Sequence, residues 1–329
     1  MPRLVRVMRN ITRVACVGGG LIGQSWAALF ASKGLSVVLQ DTNEEALSSA
    51  RKHLRSILRL LVSGKIISKS DAVSAEMSVR TTRDISEAVR EVQYIQESVF
   101  ENYKTKRIVF KAIDRYAPPN AIIASSTSAL LISKIQRFVE RRSRCIVVHP
   151  FNPVHLEPLV ELVPGRWTSR ETINSAYRFM ASVGKVPIIV ARECPGHVAN
   201  RLTAAVWREA IDMLVRRVAS AEDIDKAVKY GPGLRWAVQG PFLSYHLGGG
   251  EGGIEYFLEQ LTPSFEARWN TLATWKKLPR RARVKVIQSV RDMETIKHTS
   301  LAALNRRRDE QLIQLLRVDK HFRDTTNSN

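Results

Sequence analysis

No apolar run in the 329-residue chain approaches the ~20 residues that a helix needs to cross a membrane, which excludes a helical span and a membrane partner of that kind. Cysteine is scarce: Cys16, Cys145 and Cys194 are odd in number and widely spaced. That excludes a disulfide framework and a cysteine-based metal site, and no metal is expected. Cys16 and Cys145 lie in apolar, strand-like runs and read as buried, inert thiols suited to a reducing cytoplasm. Internal repeats and low-complexity tracts are absent, which excludes repeat arrays. Acid is also in short supply, with 31 Asp and Glu against 51 Lys and Arg, a net charge of +20. Such a field favours anionic partners: a nucleotide cofactor, a phosphate-bearing substrate or nucleic acid. The basic clusters at 51–55, 140–144, 216–217 and 276–285 are scattered, and aromatic residues are not interleaved with them as base stacking requires. Nucleic acid is therefore not an expected partner. The opening MPRLVRVMRN holds three arginines and no acid. It is short for a targeting segment and lacks a small-residue cleavage site, so a frayed basic tail is expected.

The length implies two domains. Residues 13–17 (RVACV) read as a buried strand, followed by a glycine-rich turn, an apolar-periodic helix to about Lys33 and a second strand at 36–40. Thr42 and Glu45 have capping-box spacing for a helix running to about Ser63. Further strand candidates fall at 93–97, 121–125 and 144–149, with helical patterns between them, and the alternation predicts a Rossmann-type, doubly wound parallel sheet. Strands at 159–163 and 186–190 flank a helix over 169–183. After Pro195-Gly196 the pattern is helical throughout, with Val198, Leu202, Val206, Ala210 and Leu214 stepping by four along one helix face. Ser220 and Asp223 cap a further helix. The expected division is 1–194, an NAD-binding α/β domain, and 195–329, an all-helical substrate and dimerisation domain whose apolar faces suit a homodimer.

Gly18-Gly19-Gly20-Leu21-Ile22-Gly23 is a G-x-G-x-x-G run placed between a strand and a helix, the context in which that pattern has meaning. Gly18 permits the tight turn, Gly20 lets a pyrophosphate approach the backbone, and Gly23 allows the helix to pack close on the strand. The helix start at Leu21 and Ile22 offers free N–H groups to phosphate. Asp41 ends the second strand, where a carboxylate accepts from ribose hydroxyls and repels a 2′-phosphate, favouring NAD over NADP. It could equally serve the start of the next helix.

His149 ends an apolar strand, and Glu161 stands in the middle of LVELV. Each alone reads as a structural polar group. Together they explain one another: a carboxylate is costly to bury without a partner, and one accepting from an imidazole N–H leaves the other ring nitrogen as a base. SSTS at 125–128 puts hydroxyls at a strand end, in the crevice where doubly wound sheets bind ligands, although it could also cap the following segment. Asn200 could cap its own helix or reach over the crevice.

The motifs VGGGLIG, VVLQD, ESVFENYKTK, SSTS, HPFNP, LVELV and PGHVANRL occur in an order that resembles the 3-hydroxyacyl-CoA dehydrogenase family over about residues 11–260. The resemblance implies an NAD-dependent enzyme that oxidises a 3-hydroxyl. It implies His149 as the base oriented by Glu161, Ser128 and Asn200 as contacts to the reacting oxygen, and Glu101 and Lys106 as residues lining the NAD site. SSTS stands where the family usually has S-N-T-S.

The run GPGLRWAVQGPFLSYHLGGGEGG at 231–253 departs from the thioester enzymes. It is similar to that of L-carnitine dehydrogenases and, more loosely, to lambda-crystallin and gulonate dehydrogenases, which act on free acids. Arg235 could grip a carboxylate in two parallel hydrogen bonds, or form a salt bridge. Trp236 or Tyr245 could face a quaternary ammonium, or pack in a core. Against this, Arg51, Lys52, Arg55 and Arg59 form a basic helix face suited to coenzyme A. The expected substrate is a carnitine-like 3-hydroxy acid, with a 3-hydroxyacyl-CoA as the alternative. A non-catalytic, crystallin-like NAD-binding protein is the reading from a different class.

Overall fold

The computed structural model describes residues 11–326, with side chains to residue 318. The basic tail expected over the first ten residues lies outside the described residues. Two compact units are present, Met1–Arg201 and Leu202–Asn329.

The first unit runs β1 (Arg13–Val17), α1 (Leu21–Ser32), β2 (Ser36–Gln40), α2 (Glu44–Ser63), α3 (Lys69–Met77), β3 (Val79–Thr82), α4 (Ile85–Val89), β4 (Tyr94–Glu97), α5 (Tyr103–Tyr116), β5 (Ile122–Ser125), α6 (Ser133–Gln136), β6 (Cys145–Pro150), β7 (Leu159–Pro164), α7 (Arg170–Ser182) and β8 (Val186–Ile189). Helix α8 (Ala199–Val215) starts in this unit and continues into the next. The strands form one sheet in the order β3-β2-β1-β4-β5-β6-β7-β8. The order reverses between β1 and β4, and open α/β sheets bind their ligands at such a switch point, outside the carboxyl ends of the strands.

Helices cover both faces, so the central strands are apolar on both sides rather than alternating. On one face Val17, Ile95, Ile123 and Val147 pack with Phe110 and Ile113 of α5. The other face carries an aromatic cluster in which Trp26 stacks on Phe30 at 5.1 Å and Tyr94 meets Phe179 at 4.6 Å. Cys16 and Cys145 are buried in the sheet; burial pushes both thiols up, Cys145 to about 12.

Three details differ from the sequence reading. The sheet is not wholly parallel, because β7 runs antiparallel to β6. The connection between them, residues 151–158, has no helix and is shorter than the roughly dozen residues that a parallel crossover needs. Strand β3, VRTT, has no apolar signature and forms by pairing with β2. Helix α2 is capped by Asn43 and not by Thr42: the Asn43 side chain accepts from Glu45 N at 2.7 Å and Ala46 N at 3.2 Å.

The second unit continues with α9 (Ala221–Tyr230), α10 (Pro232–Trp236), α11 (Pro241–Gly248), α12 (Gly253–Trp269), α13 (Arg280–Arg291), α14 (Glu294–Lys297) and α15 (Leu301–Thr326). It has no strand among its described residues. Ser220 caps α9 by accepting from Asp223 N at 3.1 Å. Along α8, Leu202 and Val206 of the apolar stripe are exposed whereas Leu214 is buried. Among the described residues no helix is long and apolar enough to cross a membrane.

Candidate active site

The glycine loop leaves β1 at the switch point. Gly18 has φ +103°, and a Cβ there would lie 2.7 Å from the Ser98 carbonyl oxygen. A Cβ on Gly23 would come within 1.8 Å of the Gly18 carbonyl oxygen. Both positions are glycine because the protein's own backbone leaves no room. Gly20 is different: a Cβ there would meet nothing within 4 Å. The space over Gly20 is open, and α1, starting at Leu21 and Ile22, has no side chain capping its N–H groups. That cradle fits a dinucleotide pyrophosphate. Asp41 closes it from β2. Its Oδ2 accepts from Gly19 N at 2.7 Å and its Oδ1 from Asn43 N at 2.9 Å, which fixes the carboxylate and leaves a lone pair on each oxygen for ribose hydroxyls.

Next to β1, strand β4 ends in Glu97, wholly buried and bonded to the Lys106 ammonium at 2.7 Å. Its other oxygen accepts from Ser125 Oγ at 2.6 Å. Lys106 is itself only 1% exposed and also lies 3.4 Å from Glu101. It is therefore an internal cation that anchors two carboxylates. Glu101 accepts from Thr127 Oγ1, from Ser128 N at 2.9 Å and from Ala129 N at 3.1 Å, holding the loop after β5 against the loop after β4. Burial raises the Glu101 carboxyl, but these donors and the Lys106 charge outweigh it and leave it below the usual range. The sequence reading overlooked Glu97. Its signal is an acid ending an apolar strand, with a lysine one helix turn into the next element.

His149 and Glu161 are cross-strand partners in the β6–β7 ladder. The imidazole Nδ1 lies 2.7 Å from Glu161 Oε2, with the histidine 4% exposed and the glutamate 0%. Glu161 Oε1 accepts from Val198 N and Ala199 N, each at 2.9 Å. Burial alone would raise this carboxyl; the His149 hydrogen bond and the two amides outweigh it and hold it below the usual range. An ionised carboxylate only accepts, so Nδ1 carries the proton of a neutral ring and Nε2 is the basic nitrogen. Ser128 is half-buried, its Oγ 3.5 Å from Glu101 Oε1. Asn200 is half-buried in the first turn of α8, next to the Ala199 amide that binds Glu161.

His197 was missed as a site residue, although it lies inside PGHVANRL. It is 2% exposed, and its ring centroid is 5.1 Å from that of His149. Its backbone has φ +49°, and its Nε2 donates to the Thr127 carbonyl at 3.0 Å. Burial holds this imidazole below the usual histidine range, the Thr127 contact opposing. His197 thus ties the Thr127–Ser128 loop to the segment whose amides hold Glu161.

The three residues assigned to substrate lie in the second unit. Arg235 and Trp236 are exposed on α10, and Arg235 forms no ion pair among the described residues. Tyr245, on α11, packs against Phe257 at 4.9 Å and Phe265 at 5.4 Å. No cluster able to hold a metal ion occurs among the described residues.

Oxidising an alcohol requires a dinucleotide to take the hydride and a base to take the proton. Loop and imidazole stand at the same carboxyl edge of the sheet, which puts the chain among NAD-dependent oxidoreductases acting on CH–OH groups. Comparison with known proteins gives the branch. The model of the 3-hydroxyacyl-CoA dehydrogenase NAD-binding domain matches residues 13–194, and that of the C-terminal domain matches residues 196–289. The chain belongs to the 3-hydroxyacyl-CoA dehydrogenase family. It is 39% identical to the L-carnitine dehydrogenase of a Bacillus cereus strain over 97% of this chain and 96% of that protein. It is 41% identical to a 3-hydroxyacyl-CoA dehydrogenase of Gibberella moniliformis over 78% of this chain and 79% of that one. Among solved structures it resembles FHMPC 5-dehydrogenase, an NAD+-dependent dismutase, with TM-score 0.77 and 28% identity, covering 94% of this chain and 98% of the other.

Proposed function

We propose that the protein oxidises the 3-hydroxyl of L-carnitine to give 3-dehydrocarnitine. The observation that carries the chemistry is the buried His149–Glu161 contact at 2.7 Å. In this reading Gly18, Gly20 and Gly23, with the amides that open α1 at Leu21 and Ile22, hold the pyrophosphate; Asp41 holds the adenosine ribose; Glu101 and Lys106 shape the wall of the NAD site on the other side of β1, after β4. Bound NAD+ supplies the acceptor for the hydride on carbon 3. Ser128 and Asn200 hydrogen-bond the 3-oxygen and align its proton with His149 Nε2. His149 takes that proton as the C–O bond becomes a carbonyl, and Glu161 stabilises the imidazolium so formed. A base placed in this way contributes about 10²–10⁴-fold. The proton taken from the alcohol then leaves His149 for solvent.

The free acid is supported by the near full-length match to an L-carnitine dehydrogenase and by Arg235 and Trp236, a guanidinium and an indole suited to the two charged ends of carnitine. A specific observation favours a second reading, a 3-hydroxyacyl-CoA. Arg55, Arg59 and Lys69 line a groove of about 410 Å³ between α2 and α3, and the relative of that name is 41% identical. The test is NADH absorbance with L-carnitine and with 3-hydroxybutyryl-CoA, repeated with Arg235→Ala. Turnover of carnitine, with a KM raised about tenfold or more in the variant, supports the free acid. Turnover of the thioester alone, unaffected by the variant, overturns it. The exposed Leu202, Val206 and Trp207 of α8 support a homodimer, to be checked by light scattering, and the unpaired buried thiols support a cytoplasmic setting.

A further inference from the structure

Ser126 occupies the second position of SSTS, where its hydroxyl is the centre of a polar network at the carboxyl end of β5. Three groups reach its Oγ: Trp26 Nε1 at 3.2 Å, Gln96 Nε2 at 2.7 Å and Ser98 Oγ at 2.8 Å. The proton positions follow from donor counting. An indole N–H only donates. The end of the Gln96 amide that faces Ser126 also lies 3.1 Å from the Val148 carbonyl, which only accepts, so that end is the NH₂. Tyr94 OH, at 2.5 Å from the other end, donates to the amide oxygen, in agreement. Trp26 and Gln96 therefore fill both lone pairs of Ser126 Oγ. Among the described groups its own proton has one place left to go, Ser98 Oγ. Ser98 accepts that bond, and its own proton is turned away from the network. No described side chain or carbonyl receives it.

Ser98 stands at the switch point. Its N donates to the Val17 carbonyl at 2.7 Å, and its carbonyl abuts Gly18. Asp41, just after β2, is placed for the adenosine side of β1, whereas Ser98, just after β4, lies on the opposite side. We propose that Ser98 is a cofactor-positioning residue whose hydroxyl, oriented by Trp26, Gln96 and Ser126, donates to an acceptor oxygen on the nicotinamide half of the dinucleotide. The inference rests on the cofactor and is independent of which alcohol is oxidised.

Calorimetry on the full-length protein tests it, with NAD+ and ADP as ligands. Ser98→Ala should weaken NAD+ by about three- to tenfold, the worth of one hydrogen bond, and leave ADP within about twofold. Ser98→Thr keeps the hydroxyl and should restore NAD+ affinity, whereas Ser98→Cys, a poor donor of similar shape, should behave like alanine. Unchanged NAD+ affinity in Ser98→Ala overturns the proposal. So does an equal loss for NAD+ and ADP, which would mean that the serine only supports the glycine loop. Failure of the unmodified protein to bind either ligand would instead remove the cofactor reading itself.

Discussion

Glu161→Gln is nearly isosteric and removes one charge at the centre of the site. The orientation of the new amide is decided by its neighbours. Two amide N–H groups, from Val198 and Ala199, face one end of the Glu161 carboxylate at 2.9 Å, and one imidazole nitrogen faces the other at 2.7 Å. Two donors outweigh one, so the glutamine oxygen stays with the backbone and its NH₂ turns to His149. Nδ1 must then accept, the ring proton moves to Nε2, and the nitrogen needed as a base is blocked. Restoring the active tautomer breaks a buried hydrogen bond and leaves two donors face to face, roughly 2–3 kcal/mol. The imidazolium formed in turnover also loses a charge-assisted partner, about another 1.5–3 kcal/mol. The sum, about 3.5–6 kcal/mol, corresponds to a fall of roughly 4 × 10² to 3 × 10⁴ in kcat. Steady-state NADH formation measures it, with NAD+ affinity by calorimetry and the melting temperature as controls for folding. A folded variant that binds NAD+ normally and keeps kcat within about tenfold of the parent would refute the claim that Glu161 sets the tautomer.

The glycines separate what the fold needs from what the ligand needs: Gly20→Ala should melt like the parent but bind NAD+ about tenfold or more weakly by calorimetry, whereas Gly23→Ala, with its Cβ 1.8 Å from a carbonyl oxygen, should not yield folded protein. His197→Phe keeps ring packing against His149 but loses the Thr127 bond; kcat should fall about three- to tenfold with NAD+ affinity unchanged, and His197→Asn, which tolerates positive φ, should fold at least as well in a melting scan. Lys185 is pulled down by burial to about 7, the Glu157 charge opposing, and its Nζ donates to the Val154 and Glu157 carbonyls. Between that value and the ordinary lysine pKa of about 10.4 the unfolded chain holds more protons than the folded one, so this residue makes stability rise with pH across the window. The buried thiols act oppositely at the alkaline end; the diagnostic is therefore the slope of melting temperature with pH in the parent minus that in Lys185→Met, which should be positive.

Much of the fold was legible because its signals are local. G-x-G-x-x-G between a strand and a helix, and buried strands as unbroken apolar runs, need no tertiary information. His149 and Glu161 were legible for a different reason: each is an energetic anomaly in its strand, and the structure brings the two anomalies into contact. What escaped depends on direction and partnership. Apolar content does not encode whether β7 runs with or against β6; only the short, helix-free connection does. Val79–Thr82 becomes a strand through its neighbour, not its composition. Glu97, Gln96 and Ser126 look like isolated polar residues until Lys106 reaches Glu97 and Trp26, Gln96 and Ser98 converge on Ser126 from elements distant in the sequence. The Thr42 cap failed by one position because Asn43, a better acceptor at the helix start, was available.

The antiparallel β6–β7 pair has a consequence for how this site can change. Along a strand, neighbouring side chains point to opposite sides, so an insertion or deletion of one residue within β7 would bring Val160 or Leu162 opposite His149 and send the carboxylate through the sheet. A change of two would keep the side but move the carboxylate by roughly 7 Å, out of contact with the imidazole. Lineages carrying this architecture can therefore vary residue types along the two strands and the length of the connection, but not insert or delete residues inside the paired strands. The spacing of the ladder, more than the identity of any single flanking residue, is what inheritance must preserve.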